Sequence, residues 1–165
     1  MIFRNGFRSV YTNASINLGK KISGHFTIIK IFGYFHLFIF RLSNGRLLNK
    51  FGNLPCLILT TTGKKTGKKR QTPLIYLADE NSFICVASFG GNTKHPNWYN
   101  NLNQNPNVTV TVNRKTYECK ASTLQNKSRK LMWSKLTNMY PNYPTYEKMS
   151  GRQLPVVKLT PKKNK

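Results

Sequence analysis

Short runs of apolar and alternating residues recur along the chain from residue 57 to its end. Runs of four to eight such residues bounded by turn formers predict β-strands. The six predicted strands are Leu57–Thr62, Thr72–Leu77, Phe83–Ser88, Val108–Val112, Thr116–Ala121 and Val156–Leu159. Short turns such as Asn113–Arg114 separate neighbouring strands and favour antiparallel pairing. This pattern predicts a mainly β domain with flanking helices, built on a small closed or split barrel.

Apolar residues at helical spacing predict the helices that flank this sheet. They are residues 26–48, Pro96–Asn103, Ser128–Tyr140 and Tyr143–Met149. The first begins with the most apolar stretch of the chain, FTIIKIFGYFHLFIF at residues 26–40. A membrane-spanning helix needs about 20 apolar residues, and this stretch is shorter and contains Lys30 and His36. We expect it either to pack on the domain core or to lie in a membrane interface.

The chain of 165 residues is expected to form one domain with basic ends. The domain is predicted to cover residues 25–161, followed by a basic tail at residues 162–165. Residues 1–24 contain arginine and hydroxyl residues and no acidic residue, a composition that suits a mitochondrial targeting peptide or a basic extension. We therefore expect a cytoplasmic or membrane-associated protein, or a mitochondrial one if residues 1–24 are a transit peptide.

A large excess of positive charge limits the classes of partner that this protein is expected to bind. The chain has 27 Lys and Arg against 4 Asp and Glu, a net charge of +23. Such a chain needs an anionic partner: nucleic acid, anionic lipid or a phosphorylated small molecule. Four acidic residues are too few for two-carboxylate glycosidase chemistry or a multi-carboxylate metal site, so no metal is expected. Three cysteines without zinc spacing are expected to be buried free thiols: Cys56, Cys85 and Cys119.

Three segments combine residues with useful chemistry. Gly63–Arg70 contains two glycines and five cations, and it is interpreted either as an anion cradle or as a solvated hairpin. The segment from Ser88 to Leu102 joins a strand end to a helix start, where backbone amides and aromatic side chains can meet a ligand. The third segment carries Tyr140, Tyr143 and Tyr146, which are predicted either to form a partly exposed aromatic wall with phenol donors or to pack as ordinary helix residues.

The order of these motifs resembles one protein family. Its first motif is matched by Leu59–Gly67 with Arg70 and Thr72–Leu74. Its second is matched by Ala87-Ser88, Gly90-Gly91, Lys94–Pro96, Trp98-Tyr99 and Asn101-Leu102, followed by Asn105-Pro106. Its third is matched by Met139–Pro141, Tyr143, Tyr146 and Pro155-Val156. The chain from about Tyr34 to Pro161 is similar to the deazaflavin-dependent nitroreductase and quinone reductase family. That family belongs to the split-barrel flavin and deazaflavin oxidoreductases. The resemblance implies a six-stranded antiparallel split β-barrel of FMN-binding type, with an N-terminal helix.

The resemblance also implies a cofactor, a reaction and a set of site residues. The cofactor would be coenzyme F420, whose reduced form passes a hydride to a quinone-like or nitro acceptor. The implied cofactor-binding residues are Lys64, Lys65, Thr66, Gly67, Lys68, Arg70, Gln71, Thr72, Ala87, Ser88, Asn97, Trp98, Asn101 and Tyr143. The implied catalytic residues are Ser88, Tyr140, Tyr143 and Tyr146, which would line the acceptor site and assist proton delivery.

Two other functions remain open from the sequence. An FMN-binding split-barrel oxidoreductase would use the same fold and the same basic loop. A non-enzymatic cationic module on nucleic acid or anionic lipid would explain the charge alone. The favoured interpretation expects a small-molecule electron acceptor, no specific nucleic acid, peripheral membrane contact and a homodimer.

Overall fold

The computed structural model describes residues 50–51 and 53–162, together with Thr27, Ile31 and Phe35. Those three residues have helical backbone, in agreement with the helix predicted over residues 26–48. The rest of that helix, the extension at residues 1–24 and the last three residues of the tail lie outside the described part of the chain. Within the described part, no helix combines the length and the hydropathy needed to cross a bilayer.

One antiparallel sheet organises the described residues. Its eight strands are β1 (Lys50–Phe51), β2 (Leu54–Thr62), β3 (Lys69–Ile75), β4 (Leu77–Asp79), β5 (Ser82–Val86), β6 (Asn107–Val112), β7 (Lys115–Thr123) and β8 (Val156–Pro161). The strands follow the order β1-β2-β6-β7-β8-β5-β4, and β3 pairs with β2. The predicted strands are all present, and the mainly β class is confirmed.

Tyr76 explains why the second predicted strand is two strands. It is the only residue between β3 and β4, yet β3 pairs with β2 whereas β4 forms the other end of the sheet beside β5. The Tyr76 amide still contacts β2, since it donates to the Pro55 carbonyl at 3.1 Å. Its buried ring packs edge-on against Phe83, with ring centroids 5.4 Å apart. The bend draws the two ends of the sheet together and curls it into a half-open barrel.

Alternate residues of the strands fill two separate cores. In β5, Cys85 faces the first core, inside the barrel, whereas Ile84 and Val86 face the second core, between the sheet and the C-terminal helices. The alternation follows from the two-residue side-chain period of a strand. All three cysteines are buried and free, as expected, and burial raises the pKa of Cys56 to about 12 and that of Cys119 to about 11. These thiols are therefore unreactive at neutral pH.

Three helices lie close to their predicted positions: α1 (Asn97–Gln104), α2 (Asn126–Met139) and α3 (Tyr143–Ser150). The first begins after Pro96 and packs Trp98 into the first core. The other two cover the second core and are joined by Arg129, which pairs with Glu147 at 3.0 Å. Glu147 also accepts from the Leu154 amide at 2.8 Å, which ties both helices to the segment before β8.

A 3-10 turn at Phe89–Gly91 packs directly on α3. Gly91 has φ +84°, and a Cβ there would lie 3.1 Å from the Met149 Cβ and 3.4 Å from the Tyr146 Cα. Both the backbone conformation and the space therefore require glycine. This contact sets the distance between α3 and the loop that follows β5.

We predict that Gly91→Ala destabilises the fold more than Gly151→Ala. Gly151 also has positive φ (+61°), but a Cβ there meets nothing within 4 Å. Each substitution costs about 1 kcal/mol of left-handed strain, and Gly91→Ala adds roughly 1–3 kcal/mol of overpacking. Urea unfolding of the two variants measures the difference, and equal free energies of unfolding would contradict the close packing of the turn on α3.

Candidate active site

The cationic hairpin loop, residues 63–70, has a defined backbone conformation. The Gly63 amide donates to the Lys68 carbonyl at 2.8 Å, and the Gly67 amide donates to the Gly63 carbonyl at 2.8 Å. A Cβ at Gly63 would lie 2.9 Å from the Thr66 Oγ1, so glycine is needed there for space. The side chains of residues 64–70 are exposed. The loop therefore presents its cations on a fixed frame rather than on a freely moving hairpin.

Asn101 joins this loop to α1. Its Oδ1 accepts from the Lys64 amide at 3.0 Å, and its Nδ2 donates to the Thr61 Oγ1 at 3.0 Å. The side chain is only 8% exposed, so both of its polar ends are satisfied inside the protein. Because Asn97 and Trp98 lie one turn earlier on the same helix, the cationic hairpin loop and the start of α1 lie side by side.

The loop between β5 and α1, residues 87–96, carries an unusual backbone. Phe89, Gly90 and Gly91 all have positive φ, at 51°, 61° and 84°. For Phe89 this left-handed conformation is unfavourable, and such residues persist only where the surrounding structure imposes them. Ser88 is half-buried at the start of this turn, and Ala87 before it is fully buried.

Arg152 provides the restraint on the β5–α1 loop. Its Nη2 donates to the carbonyls of Ala87, Ser88 and Lys94 at 3.1, 3.2 and 3.3 Å. Its Nε donates to the Asn92 carbonyl at 3.1 Å, and its Nη1 lies 3.1 Å from the His95 Nδ1. Sequence reasoning missed Arg152, because one arginine among 27 basic residues carries no pattern of its own.

The remaining predicted ring contacts differ in exposure. Trp98 is 6% exposed and packs with Ala87 in the first core, so both lie beneath the surface of the β5–α1 loop. Asn97 is exposed at the first turn of α1. Gln71 and Thr72 are half-buried on β3, opposite Thr60 and Leu59 of β2. Of the residues near the two loops, Ala87 and Trp98 are thus buried, Gln71 and Thr72 are half-buried, and Asn97 is exposed.

The tyrosine cluster, Tyr140, Tyr143 and Tyr146, is buried in the second core. Of the two predicted arrangements, the structure shows packed helix residues and not a partly exposed aromatic wall, since the three side chains are only 3–6% exposed. The hydroxyls of Tyr140 and Tyr146 are 3.1 Å apart, and the Asn142 Nδ2 donates to the Tyr140 hydroxyl at 3.1 Å. Polar tips that find partners inside the protein can be buried at little cost.

Tyr143 differs from its two neighbours. It is 3% exposed, and no residue in the described part of the chain forms a hydrogen bond with its hydroxyl. Its ring instead packs edge-on against Tyr140, with centroids 5.0 Å apart, and at a tilt against Trp133. Burial raises the pKa of both Tyr143 and Tyr146, which keeps these phenols protonated at neutral pH. An unsatisfied buried hydroxyl costs about 1–3 kcal/mol and calls for an explanation.

The tyrosine cluster is connected to the β5–α1 loop through the turn at Phe89–Gly91. Gly91 lies against the backbone of Tyr146, and Arg152 follows α3 and reaches back to the same loop. The structure therefore brings the predicted loop, helix and tyrosine residues into three adjoining layers. The sheet carries the hairpin, α1 holds the hairpin through Asn101, and α3 supports the β5–α1 loop.

The half-open antiparallel barrel with this arrangement of loops belongs to the split-barrel reductases. A solved F420-H2 dependent reductase, FDR-A, is 37% identical and has a TM-score of 0.59, covering 64% of this chain and 93% of that one. A second solved structure, described as a domain-swapped dimer, is 31% identical with a TM-score of 0.62, covering 76% of this chain and 96% of its own.

Sequence comparison gives the family. The profile of the family described as F420H(2)-dependent quinone reductase matches residues 35–161. An F420H(2)-dependent quinone reductase of Mycobacterium tuberculosis is 36% identical over 129 residues, 76% of this chain and 87% of the relative. The chain belongs to the F420H(2)-dependent quinone reductase family. It is an oxidoreductase whose cofactor is coenzyme F420, and the FMN and cationic-module alternatives gain no support from these comparisons.

We predict that Asn101→Ala releases the cationic hairpin loop from α1. The variant loses two buried hydrogen bonds, each contributing about 0.5–1.5 kcal/mol, and leaves polar groups unsatisfied. Asn100→Ala is the matched control, since Asn100 is exposed on the same helix. We expect a fall in the free energy of unfolding of roughly 2 kcal/mol for Asn101→Ala alone, with faster tryptic cleavage within residues 63–70. Similar behaviour of both variants would refute the role of Asn101.

Proposed function

We propose that this oxidoreductase passes reducing equivalents from coenzyme F420 to a quinone-like or nitro acceptor, using the two loops that adjoin α1. The observation that carries the proposal is the pair of hydrogen bonds from Asn101, which holds the cationic hairpin loop beside the helix that carries Trp98. A single elongated cofactor can therefore contact both regions. The deazaflavin, when bound, supplies the hydride chemistry, whereas the chain supplies binding, orientation and exclusion of water.

The cationic hairpin loop suits the anionic end of the cofactor. That end carries a phosphate and an acidic tail, and the loop offers exposed cations with no carboxylate among residues 63–78. Charge-assisted hydrogen bonds are the natural contact for such oxygens. The proposed residues are Lys64, Lys65, Thr66, Gly67, Lys68, Arg70, Gln71 and Thr72. Because the side chains are exposed, solvent screening makes each contact modest, so the affinity depends on several of them together.

The β5–α1 loop and the start of α1 are proposed to hold the deazaflavin ring. Ala87 and Trp98 form the buried base of this region. Ser88 is half-buried above that base, and Asn97 is exposed at the first turn of α1. Asn101 contributes by fixing the hairpin loop against the helix. These residues provide an apolar support with polar groups around its edge, as ligand sites commonly do.

Tyr143 is the proposed proton donor of the acceptor site, with Ser88, Tyr140 and Tyr146 as its neighbours in catalysis. The protonated, buried Tyr143 hydroxyl can donate to an acceptor oxygen, and this use explains why the described residues leave it unsatisfied. Tyr140 and Tyr146 already hydrogen-bond each other and thereby hold the cluster in place. A reduced quinone or nitro oxygen needs a proton, which a neutral phenol can deliver.

Charge reversal tests the proposed binding of the acidic tail. We expect Lys65→Glu and Arg70→Glu each to raise the Kd for F420 roughly tenfold, the equivalent of about 1.4 kcal/mol. Lys130→Glu, on the exposed face of α2, makes the same charge change outside the loop and is expected to leave the Kd within about twofold, because exposed charges are screened over distance. Fluorescence titration at fixed ionic strength measures all three. A wild-type protein that binds no F420 would overturn the proposed function.

Removing single hydroxyls tests the acceptor site. We expect Tyr143→Phe to lower kcat/KM at least tenfold while the free energy of unfolding stays unchanged or rises, since no described hydrogen bond is lost. Tyr146→Phe breaks the bond to Tyr140 and is expected to lower the free energy of unfolding by about 1 kcal/mol. Steady-state kinetics with menadione as the acceptor, combined with urea unfolding, measures both. A fully active Tyr143→Phe enzyme would exclude the proton-donor role.

Two further properties are proposed for the whole chain. Ile31 and Phe35 stand one helical turn apart and are 62% and 59% exposed, which supports contact with a membrane surface where lipid-soluble quinones reside.

A homodimer is proposed because one similar solved structure is described as a domain-swapped dimer. Neither proposal alters the residues proposed above for the F420 site.

A further inference from the structure

All five donor contacts of the Arg152 guanidinium go to one loop. Four are with backbone carbonyls of the β5–α1 loop, and the fifth is with the His95 Nδ1. None of these partners is a carboxylate, so Arg152 forms no ion pair there. A guanidinium is a rigid fork of donors and organises several acceptors at once, which a lysine ammonium does less well.

The contact with His95 defines its protonation state. An arginine side chain only donates, so the Nδ1 of His95 accepts and the proton is on Nε2. Burial and then the Arg152 charge lower the pKa of His95, which keeps the imidazole neutral at physiological pH. The His95 ring also lies 5.0 Å from the Tyr99 ring on α1, centroid to centroid. Arg152 thus reaches the start of α1 as well as the loop.

The direction of the carbonyls determines the direction of the amides. The described residues contain no cis peptide bond, and in a trans peptide the C=O and the following N–H point in opposite directions. The carbonyls of Ala87 and Ser88 point at Arg152, so the N–H groups of Ser88 and Phe89 point away from it. The same holds for the N–H groups that follow the Asn92 and Lys94 carbonyls. Each of these amides therefore points away from Arg152, and the first of them after β5 belongs to Ser88.

We infer that Arg152 is a positioning residue of this reductase: its guanidinium holds the β5–α1 loop so that the Ser88 amide, which points away from Arg152, serves as a donor to a carbonyl oxygen of the deazaflavin ring. The inference rests on the proposed function, since it deepens the use of the same loop. Arg152 contacts neither cofactor nor acceptor in this role. It acts through the peptide groups whose direction it sets. Its positive charge also strengthens the dipoles of these groups.

The restraint also accounts for the strain at Phe89. A residue with a side chain at φ +51° is costly and needs the surroundings to hold it. Two elements do so from opposite ends of the turn: α3 packs on Gly91, and Arg152 binds the Ala87 and Ser88 carbonyls. Arg152 and Lys148 also line an open surface depression of about 480 Å³. The Arg152 side chain therefore contacts solvent while its hydrogen bonds to the loop are in place.

The test compares the full chain with Arg152→Gln and Arg152→Lys, with Lys148→Gln as the matched control. Lys148 is an exposed cation that lines the same depression but donates nothing to the loop. Hydrogen exchange followed by mass spectrometry reports on residues 88–95 without any ligand. We expect exchange there to be at least tenfold faster in Arg152→Gln, intermediate in Arg152→Lys and unchanged in Lys148→Gln, while β2 exchanges as in the wild type.

Two more readouts separate positioning from general stability. Fluorescence titration is expected to give an F420 Kd at least tenfold higher for Arg152→Gln and partly restored for Arg152→Lys, with an unchanged KM for menadione. The pKa of His95, followed by NMR, is expected to rise towards its usual 6.5 in Arg152→Gln, because one of the two causes that lower it is removed. It should stay low in Arg152→Lys, which keeps the charge.

The outcomes distinguish this inference from the proposed function. Wild-type exchange at residues 88–95 in Arg152→Gln would overturn the inference, as would faster exchange with an unchanged F420 Kd. If β2 also exchanges faster in Arg152→Gln, that variant is unfolding. Arg152→Lys is then the test variant, and wild-type exchange at residues 88–95, or faster exchange with an unchanged F420 Kd, would overturn the inference. If the wild type binds no F420, the proposed function fails and the cofactor role of the loop fails with it, whereas the exchange data still report whether Arg152 holds the loop.

Discussion

The site depends on one buried amide side chain. Asn101 bonds to the Lys64 backbone with one end and to the Thr61 hydroxyl with the other, which joins the β2–β3 hairpin to α1. Only a side chain with both an acceptor and a donor can satisfy the two partners in this way. Without this connection the cationic loop would be an ordinary solvated hairpin, and its charge would have no fixed relation to the rest of the site. The position of the charge matters more than its amount.

Two energetically costly features are found elsewhere in the site. Phe89 is held in a left-handed conformation, and the Tyr143 hydroxyl is buried without a described partner. Each costs free energy in the isolated chain. Such costs are tolerated where function needs them. Deep burial raises the pKa of Tyr143 and Tyr146, so these two phenols are neutral donors and not bases.

The carbonyl contacts of Arg152 give this arrangement a second fixed point. Asn101 fixes the hairpin from the side of α1, and Arg152 fixes the β5–α1 loop from the side of α3. Neither residue carries the chemistry of hydride transfer, which belongs to the cofactor. Both limit the freedom of the loops that bind it, and a loop held in advance loses less entropy when it binds its ligand.

The sequence alone determined six strand regions, three of the helices within one or two residues, the basic loop and the family. Each of these depends on local periodicity or on an ordered set of short motifs. Only the tertiary structure decided that Asn101 contacts Lys64, 37 residues away, and that Arg152 reaches Ser88, 64 residues away. It also decided that the tyrosines are buried rather than partly exposed, and that Tyr76 divides one predicted strand into two. Such contacts depend on the path of the whole chain through the barrel, and no local pattern records which distant polar group a buried side chain will meet.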